Sequence, residues 1–360
     1  MTSLSDLPLR ANLVGKVPYG APQDPVPVSL NVNENTHPLP EEVVNDIAAA
    51  LAEAVRGVNR YPDREFLALR DALATYLGHG LTADQVWAAN GSNEVLQQVL
   101  QAFGGPGRSL LSFTPTYSMY PLLADGTDTR WIGVPRPDGY ALTPDVVTAA
   151  IRKHSPSIVA LCGPNNPTGT SLDLDTVIAA YDAFDGMLIV DEAYHEFEEV
   201  RSSALELLPG RPRLLVSRTM SKAFAFAGVR LGYLAADAAV VDALRLVRLP
   251  YHLSALTQAA SITALKHADA MLATVADIRG QRERLTVALT EMGYRVHQSG
   301  ANFLLVDGFT DPSATFESLR SQGILIRDLG IDGHLRLTAG TEAETTQLID
   351  ALRAFGPGGA

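Results

Sequence analysis

The stretch Ser217-Arg218-Thr219-Met220-Ser221-Lys222 sets one lysine among hydroxyl side chains and follows it with the small, apolar run Ala-Phe-Ala-Phe-Ala-Gly. The chain holds four lysines (Lys16, Lys153, Lys222, Lys266) against 24 arginines, so where arginine would serve it is generally used. A deprotonated amine can form an imine with a carbonyl, which a permanently charged guanidinium cannot. Lys153 and Lys266 each stand beside a histidine in a polar helix-end context, and Lys16 lies in a Pro/Gly-rich stretch, so these three read as solvated charges. Lys222 is the candidate reactive residue, with an ordinary solvated loop lysine as the plain alternative.

Three other clusters also follow short apolar runs. Asn90-Gly91-Ser92-Asn93-Glu94 follows 86–89 and precedes a helix expected over 95–103, which brings free backbone N–H groups and two short polar side chains to a helix start. Such a start suits a phosphate, although Ser92 or Asn93 taken alone is equally a plain N-cap. Cys162-Gly163-Pro164-Asn165-Asn166-Pro167-Thr168-Gly169 follows 158–161 and by itself is a rigid turn offering an amide. Asp191-Glu192-Ala193-Tyr194 follows 187–190, and a lone strand-end aspartate is often a helix cap. Arg230 stands eight residues beyond Lys222. Together the clusters supply an amine for an aldehyde, an acid to keep a pyridine nitrogen protonated, amide and phenol donors for a ring oxygen, and hydroxyls with arginine for a phosphate. Pyridoxal 5'-phosphate requires that whole set.

The elements that must position these residues follow from the apolar pattern. Runs at 86–89, 109–113, 130–134, 158–161, 187–190, 214–216 and 231–235 alternate with helical segments, which predicts an α/β domain with a mostly parallel sheet flanked by helices. Ligands of such sheets sit outside the carboxyl ends of the strands, where all four clusters fall. Upstream, Pro40 and the acids Glu41 and Glu42 open a helix with Val43, Ile47, Leu51 and Val55 on one face and Gly57 at its end; a second uses Phe66, Leu69, Leu73 and Leu77. Residues 253–293 read as one or two long helices. Shorter strands (294–297, 302–306, 324–327, 334–338) and helices (313–321, 341–355) then predict a small α+β domain and a frayed Gly-Pro-Gly-Gly-Ala tail. The expected division is a proline-rich arm over 1–39, with at most a short strand near 28–32, joining the small domain; a large domain over 40–265; and a small domain over 266–360.

Composition excludes several classes. The net charge of -12 disfavours nucleic acid or an anionic membrane as partner. No apolar run reaches the ~18 residues of a membrane span, and no charged start with an apolar core marks a signal peptide, so a cytoplasmic protein is expected. Cys162 stands alone, which excludes an internal disulfide, and the eight histidines lack metal-ligand spacing, so no metal is expected.

The succession Asn-Pro-Thr-Gly, Asp-Glu-Ala-Tyr, Ser-x-x-Lys and an arginine eight residues later resembles the fold-type I pyridoxal-phosphate-dependent aminotransferases. More narrowly, Asn31-Val32-Asn33-Glu34-Asn35, Asn59-Arg60-Tyr61-Pro62-Asp63, 164–169, 218–230, 324–328 and Leu335-Arg336-Leu337-Thr338 resemble the histidinol-phosphate aminotransferases of the class II subfamily, across essentially the whole chain. The resemblance implies that Lys222 binds the cofactor aldehyde and shuttles the proton, Asp191 pairs the pyridinium, and Asn166 and Tyr194 bind the ring oxygen. It implies that Tyr117 stacks on the ring, with a core aromatic as the alternative, and that Ser92, Asn93, Thr219, Ser221 and Arg230 hold the phosphate. It further implies a homodimer in which Tyr61 reaches the other subunit's phosphate, and a substrate pocket of Tyr19, Asn33, Tyr251, Arg327 and Arg336. The reaction implied is amino transfer between L-histidinol phosphate and 2-oxoglutarate, giving imidazole acetol phosphate and glutamate. Rival readings are an aromatic amino acid aminotransferase, a phosphothreonine decarboxylase and a non-enzymatic cofactor-binding regulator, the last without any DNA-binding extension or basic patch to support it. Arg327 could also make only a salt bridge with Asp328.

Overall fold

A computed structural model describes residues 3–199, 202–353 and 355. The arm forms two single 3-10 turns and then strand β1 (Val28–Ser29). Helix α1 (Glu41–Val55) starts directly after Pro40 and buries Val43 and Ile47, while Val55, expected on the buried face, is exposed at the helix end. Helix α2 (Leu67–Leu77) starts after Phe66 and stops at Gly78, whose φ of 70° suits a glycine at a helix end.

The large sheet comprises β2 (Val86–Asn90), β3 (Ser109–Thr114), β4 (Arg130–Pro135), β5 (Ile158–Cys162), β6 (Met187–Asp191), β7 (Leu214–Thr219) and β8 (Leu231–Ala236), in the order β2-β8-β7-β6-β5-β3-β4. All seven expected strands are present. Only β8 runs against the rest, pairing antiparallel with β7 and β2. Every residue of β5, β7 and β8 is buried, as central strands covered on both faces require. The covering helices include α3 (Ser92–Phe103), α4 (Met119–Gly126), α5 (Pro144–His154), α6 (Leu174–Asp182) and α7 (Ala238–Val247). Because β5, β6 and β7 are successive parallel neighbours and β2 runs the same way, the residues past their carboxyl ends converge on one edge.

Residues 253–293 form three helices rather than one or two: α8 (Ala255–Lys266), α9 (Ala268–Leu272) and α10 (Thr274–Glu291). The first break is at His267, whose ring meets Asp46 of α1 at 2.8 Å, and the segment then leaves the large core (Ala264, Leu265, Met271) for a bridging cluster that holds Val275 and Ile278.

The small domain pairs β9 (Arg295–Val296), β10 (Phe303–Asp307), β12 (Arg327–Asp328) and β13 (His334–Thr338) in the antiparallel order β12-β13-β10-β9, with α11 (Pro312–Ser321) and α12 (Glu342–Arg353). The single strand expected over 324–327 is two, because the chain changes partner at Ile326: β11 (Ile324–Leu325) pairs with β1 of the arm and β12 with β13. Val28 and Leu30 are buried in the small-domain core beside Leu285, Leu325 and Leu337. The expected Gly-Pro-Gly-Gly-Ala tail lies outside the described residues. Among the described residues no helix is long and apolar enough to cross a membrane.

Candidate active site

A cavity of about 680 Å³ opens at the converging strand ends, closed on its other side by arm residues 19–24 and 31–34. Asp191, the last residue of β6, is only 2% exposed. Its Oδ2 accepts from the Tyr120 hydroxyl at 2.9 Å and its Oδ1 from the Ala193 amide at 3.3 Å. Burial pushes the Asp191 carboxyl up to about 6, and those two bonds oppose the rise.

One residue past β6, the chain turns so that Tyr194 faces the same space. Its hydroxyl accepts from Asn33 Nδ2 at 2.9 Å and lies 3.4 Å from Asn166 Nδ2. Asn166 Oδ1 accepts from Arg336 Nη1 at 2.7 Å, and Arg336 Nη2 donates to the Asn31 carbonyl at 2.6 Å. Arg336 Nε is buried without a partner, a donor left free beside the cavity. The Lys222 ammonium donates to the Val32 carbonyl at 2.7 Å. Burial pulls this amine down to about 8, Arg336 and Arg230 act in the same direction, and Glu34 opposes them.

The phosphate-like end is built at the start of α3. The cap is Gly91 rather than Ser92 or Asn93, because the Arg230 guanidinium lies where a Cβ at position 91 would go and φ is 84° there. Ser92 and Asn93 therefore occupy the first helical positions, whose amides have no partner within the helix. Gly232 of β8 lets the helix start approach, since a Cβ there would collide with the Ser92 amide. Arg230 Nη1 donates to Ser221 Oγ at 3.3 Å, and Thr219 Oγ1 accepts from the Ser221 amide at 3.1 Å while donating to the Leu231 carbonyl. An amine, a buried carboxylate, an amide with a phenol, and a helix start beside a guanidinium thus surround one space, the donor set that a phosphorylated pyridine aldehyde fits.

Of the expected residues, Ser92, Asn93, Tyr117, Asn166, Asp191, Tyr194, Thr219, Ser221, Lys222, Arg230, Tyr19, Asn33 and Arg336 line this cavity. Tyr117 packs against the large core as well, with its hydroxyl on Asn93 Oδ1 at 2.9 Å, so the two readings of it are compatible. Arg327 instead lines an adjoining cavity of about 330 Å³ that shares Tyr19, Tyr117, Asn166 and Arg336 with the first. Arg327 is the register partner of Arg336 across β12 and β13. It makes no ion pair with Asp328 among the described residues: Asp328 accepts from the Gly330 amide, and the Arg327 guanidinium lies 5.7 Å from the Tyr19 ring. Tyr61 and Tyr251 stand apart from both cavities, stacked on each other at 4.4 Å and 80% and 39% exposed.

Sequence reasoning missed Tyr120, the Val32 carbonyl and Glu34. Tyr120 stands in the same Thr-Pro-Thr-Tyr-Ser-Met-Tyr stretch as Tyr117, which was the available signal. Arg218, four residues before Lys222, faces away from the cavity into a buried pairing with Glu192 at 2.8 Å and Glu196 at 3.8 Å.

Residues 25–352 match the family model "Aminotransferase class I and II". The chain belongs to that family. It is 58% identical over 356 residues to the histidinol-phosphate aminotransferase of Paenarthrobacter aurescens, covering 98% of this chain and 96% of that one. It is 56% identical to the enzyme of the same name from Thermobifida fusca, covering 97% and 96%. Among solved structures, the histidinol-phosphate aminotransferase of Sinorhizobium meliloti in complex with pyridoxal-5'-phosphate superposes with a TM-score of 0.83 at 26% identity, over 91% of this chain and 90% of that one. A Thermus thermophilus aspartate aminotransferase double mutant gives 0.79 at 25% identity, over 91% of each. The α/β architecture of this aminotransferase is therefore the one the strand-helix alternation predicts.

Proposed function

We propose that this aminotransferase moves the amino group between L-histidinol phosphate and 2-oxoglutarate, with pyridoxal 5'-phosphate as cofactor, as a step of histidine biosynthesis. The observation that carries the substrate reading is the register pairing of Arg327, which lines the smaller cavity, with Arg336, which lines both. Two guanidiniums suit a dianionic phosphate through charge-assisted hydrogen bonds, and the same pair can receive the carboxylates of 2-oxoglutarate in the second half-reaction.

Bound pyridoxal phosphate supplies an electron-accepting ring that acidifies the hydrogen on the substrate's amino-bearing carbon. Lys222 offers the amine that attaches to the aldehyde, and with its ionisation near 8 a useful share is neutral at ordinary pH. The same Nζ would take the proton that leaves the substrate's amino-bearing carbon and deliver it to the carbon of the former aldehyde. Asp191 would hold the proton on the pyridine nitrogen. Asn166 Nδ2 and the Tyr194 hydroxyl would orient the ring through its oxygen, Tyr117 would cover its face, and the first-turn amides of α3 with Ser92, Asn93, Thr219, Ser221 and Arg230 would bind the phosphate. Tyr19, Asn33, Arg327 and Arg336 shape the substrate pocket.

The reading includes a homodimer with shared sites. Val55, Val58, Tyr61, Leu67, Leu246, Leu249 and Tyr251 are exposed apolar side chains on neighbouring segments, a face that a second copy would cover. Tyr61 then reaches the partner's phosphate, and Tyr251 the pocket rim. The reading also includes a cytoplasmic location, with the pools of 2-oxoglutarate and glutamate that the reaction draws on. The test is a donor panel on the purified holoenzyme, following bleaching of the cofactor absorbance and the product. L-histidinol phosphate should give the keto product and far outpace phenylalanine and tyrosine; a phenylalanine rate equal to or above it, or release of CO2 from phosphothreonine, would overturn the assignment.

A further inference from the structure

The roles above use Asp191 and leave its closest side-chain donor unassigned. Tyr120 is the second residue of α4, is buried, and meets the Tyr117 ring edge-on at 5.6 Å. Its hydroxyl donates to Asp191 Oδ2 at 2.9 Å. The residues flanking Asp191 in the sheet do not donate to it: the Cys162 thiol donates to the Pro164 carbonyl at 3.4 Å, and the buried Ser217 hydroxyl has no partner. Glu192, next along the chain, is held by Arg218. Among the described residues Tyr120 is therefore the one side chain that hydrogen-bonds the Asp191 carboxylate.

We propose that Tyr120 is a positioning residue for the amino-transfer reaction, its hydroxyl holding the Asp191 carboxylate ionised and aimed at the ring nitrogen. Burial and the nearby Asp191 charge push the Tyr120 phenol well above its usual ionisation, so it stays protonated and acts towards a carboxylate only as a donor. Burial raises Asp191 as well, to about 6, and the Tyr120 bond is first among the contacts that oppose this rise. The other titratable groups facing Asp191 are Tyr117, Tyr194 and Cys162, all pushed upward by burial and so neutral, and the ion-paired Glu192. With the donor removed, Asp191 takes up a proton at higher pH and becomes a weaker partner for the pyridinium. The inference rests on the assignment of Asp191 to the ring nitrogen.

The experiment compares Tyr120→Phe, Asp191→Asn and the double variant as holoenzymes, with single-turnover rates for L-histidinol phosphate and the ¹⁵N shift of labelled cofactor followed from pH 6 to 9. Tyr120→Phe should slow the single turnover roughly 10- to 100-fold, the worth of a hydrogen bond to a charged group, and move the ring-nitrogen titration down by about one to two pH units. Added to Asp191→Asn, it should cost nothing further. An unchanged nitrogen titration in Tyr120→Phe, or an equal loss in the Asp191→Asn background, overturns the role of Tyr120 while leaving Asp191 standing. An Asp191→Asn enzyme with wild-type rate and titration overturns the assignment of Asp191 itself. Should Tyr120→Phe fail to fold, 3-fluorotyrosine at position 120, a stronger donor, should move the nitrogen titration upward, and no movement overturns the proposal.

Discussion

Replacing Arg327 with glutamine tests the substrate pocket most directly, because it removes a charge and keeps a polar side chain of similar length. The structure leaves this guanidinium available: it is half-buried, has no side-chain hydrogen bond or ion pair among the described residues, lies 5.7 Å from the Tyr19 ring, and lines the smaller cavity with Arg336 directly across the strand pair. A hydrogen bond to a charged group is worth ~1.5–3 kcal/mol. At ~1.4 kcal/mol per factor of ten, Arg327→Gln should lower kcat/KM for L-histidinol phosphate roughly 10- to 100-fold. Arg336 should not compensate. Two of its nitrogens are committed to Asn166 and the Asn31 carbonyl, and burial, reinforced by the Arg327 charge and opposed by Tyr194, pulls it down to about 10. The decisive control is L-histidinol, which lacks the phosphate. If Arg327 reads the phosphate, the variant changes kcat/KM for this donor by no more than about twofold, since an interaction absent from the substrate cannot be lost. Steady-state kinetics with both donors settles it. Equal losses for both would refute the phosphate contact, and a loss for neither would remove Arg327 from the pocket altogether.

The depressed Lys222 amine makes a pH prediction with a definite sign: attachment of cofactor to the apoenzyme requires the neutral amine, so its rate should rise with pH through about 8 and then level, rather than climb towards the ordinary lysine value of 10.5. Stopped-flow absorbance checks this, and Lys222→Ala should show neither attachment nor turnover while keeping its circular dichroism. Mixing Lys222→Ala chains with Tyr61→Phe chains should restore activity at one site per heterodimer if Tyr61 serves the partner; demonstrated subunit exchange without recovery would mean that Tyr61 acts within its own chain or not at all. Arg218→Met strips the cation from the buried carboxylates Glu192 and Glu196 and should cost ~3–5 kcal/mol of unfolding free energy in urea, with Glu192→Gln recovering part of it; a loss below ~1 kcal/mol would mean that water already reaches the cluster.

The large sheet was legible because its strands are almost wholly apolar, which only a sheet covered on both faces tolerates, and because parallel neighbours bring their carboxyl ends to one edge whatever the loop lengths. That geometry alone brings Asn166, Asp191, Tyr194 and Lys222 together. Tyr120 was not legible for a matching reason: it lies 71 residues from Asp191, and nothing in its type or spacing says which of Tyr117 and Tyr120 turns to the carboxylate and which to the cavity. The change of partner at Ile326 escaped too, since neither the apolar Ile324-Leu325-Ile326 nor the charged pair after it says which strand each will meet. The breaks at His267 and Ala273 depend on the passage of the chain between two cores, which is a tertiary fact.

The arm shows the same limit from the other side. In Asn31-Val32-Asn33-Glu34-Asn35 the informative groups are largely backbone: the Asn31 carbonyl receives Arg336, the Val32 carbonyl receives Lys222, and the Asn33 carbonyl receives Asn302. A carbonyl belongs to every residue type, so no composition reveals it. What the side chains contribute is the conformation that aims those carbonyls. Asn33 adopts a φ of 59°, a left-handed setting that asparagine tolerates better than most residues. Its amide is fixed at both ends, donating to the Tyr194 hydroxyl and accepting from Thr338 Oγ1. Immediately before it, β1 pairs with β11 of the small domain. One short segment thus joins the second sheet's core to the amine through the Val32 carbonyl, to the phenol beside Asn166 and to the buried arginine.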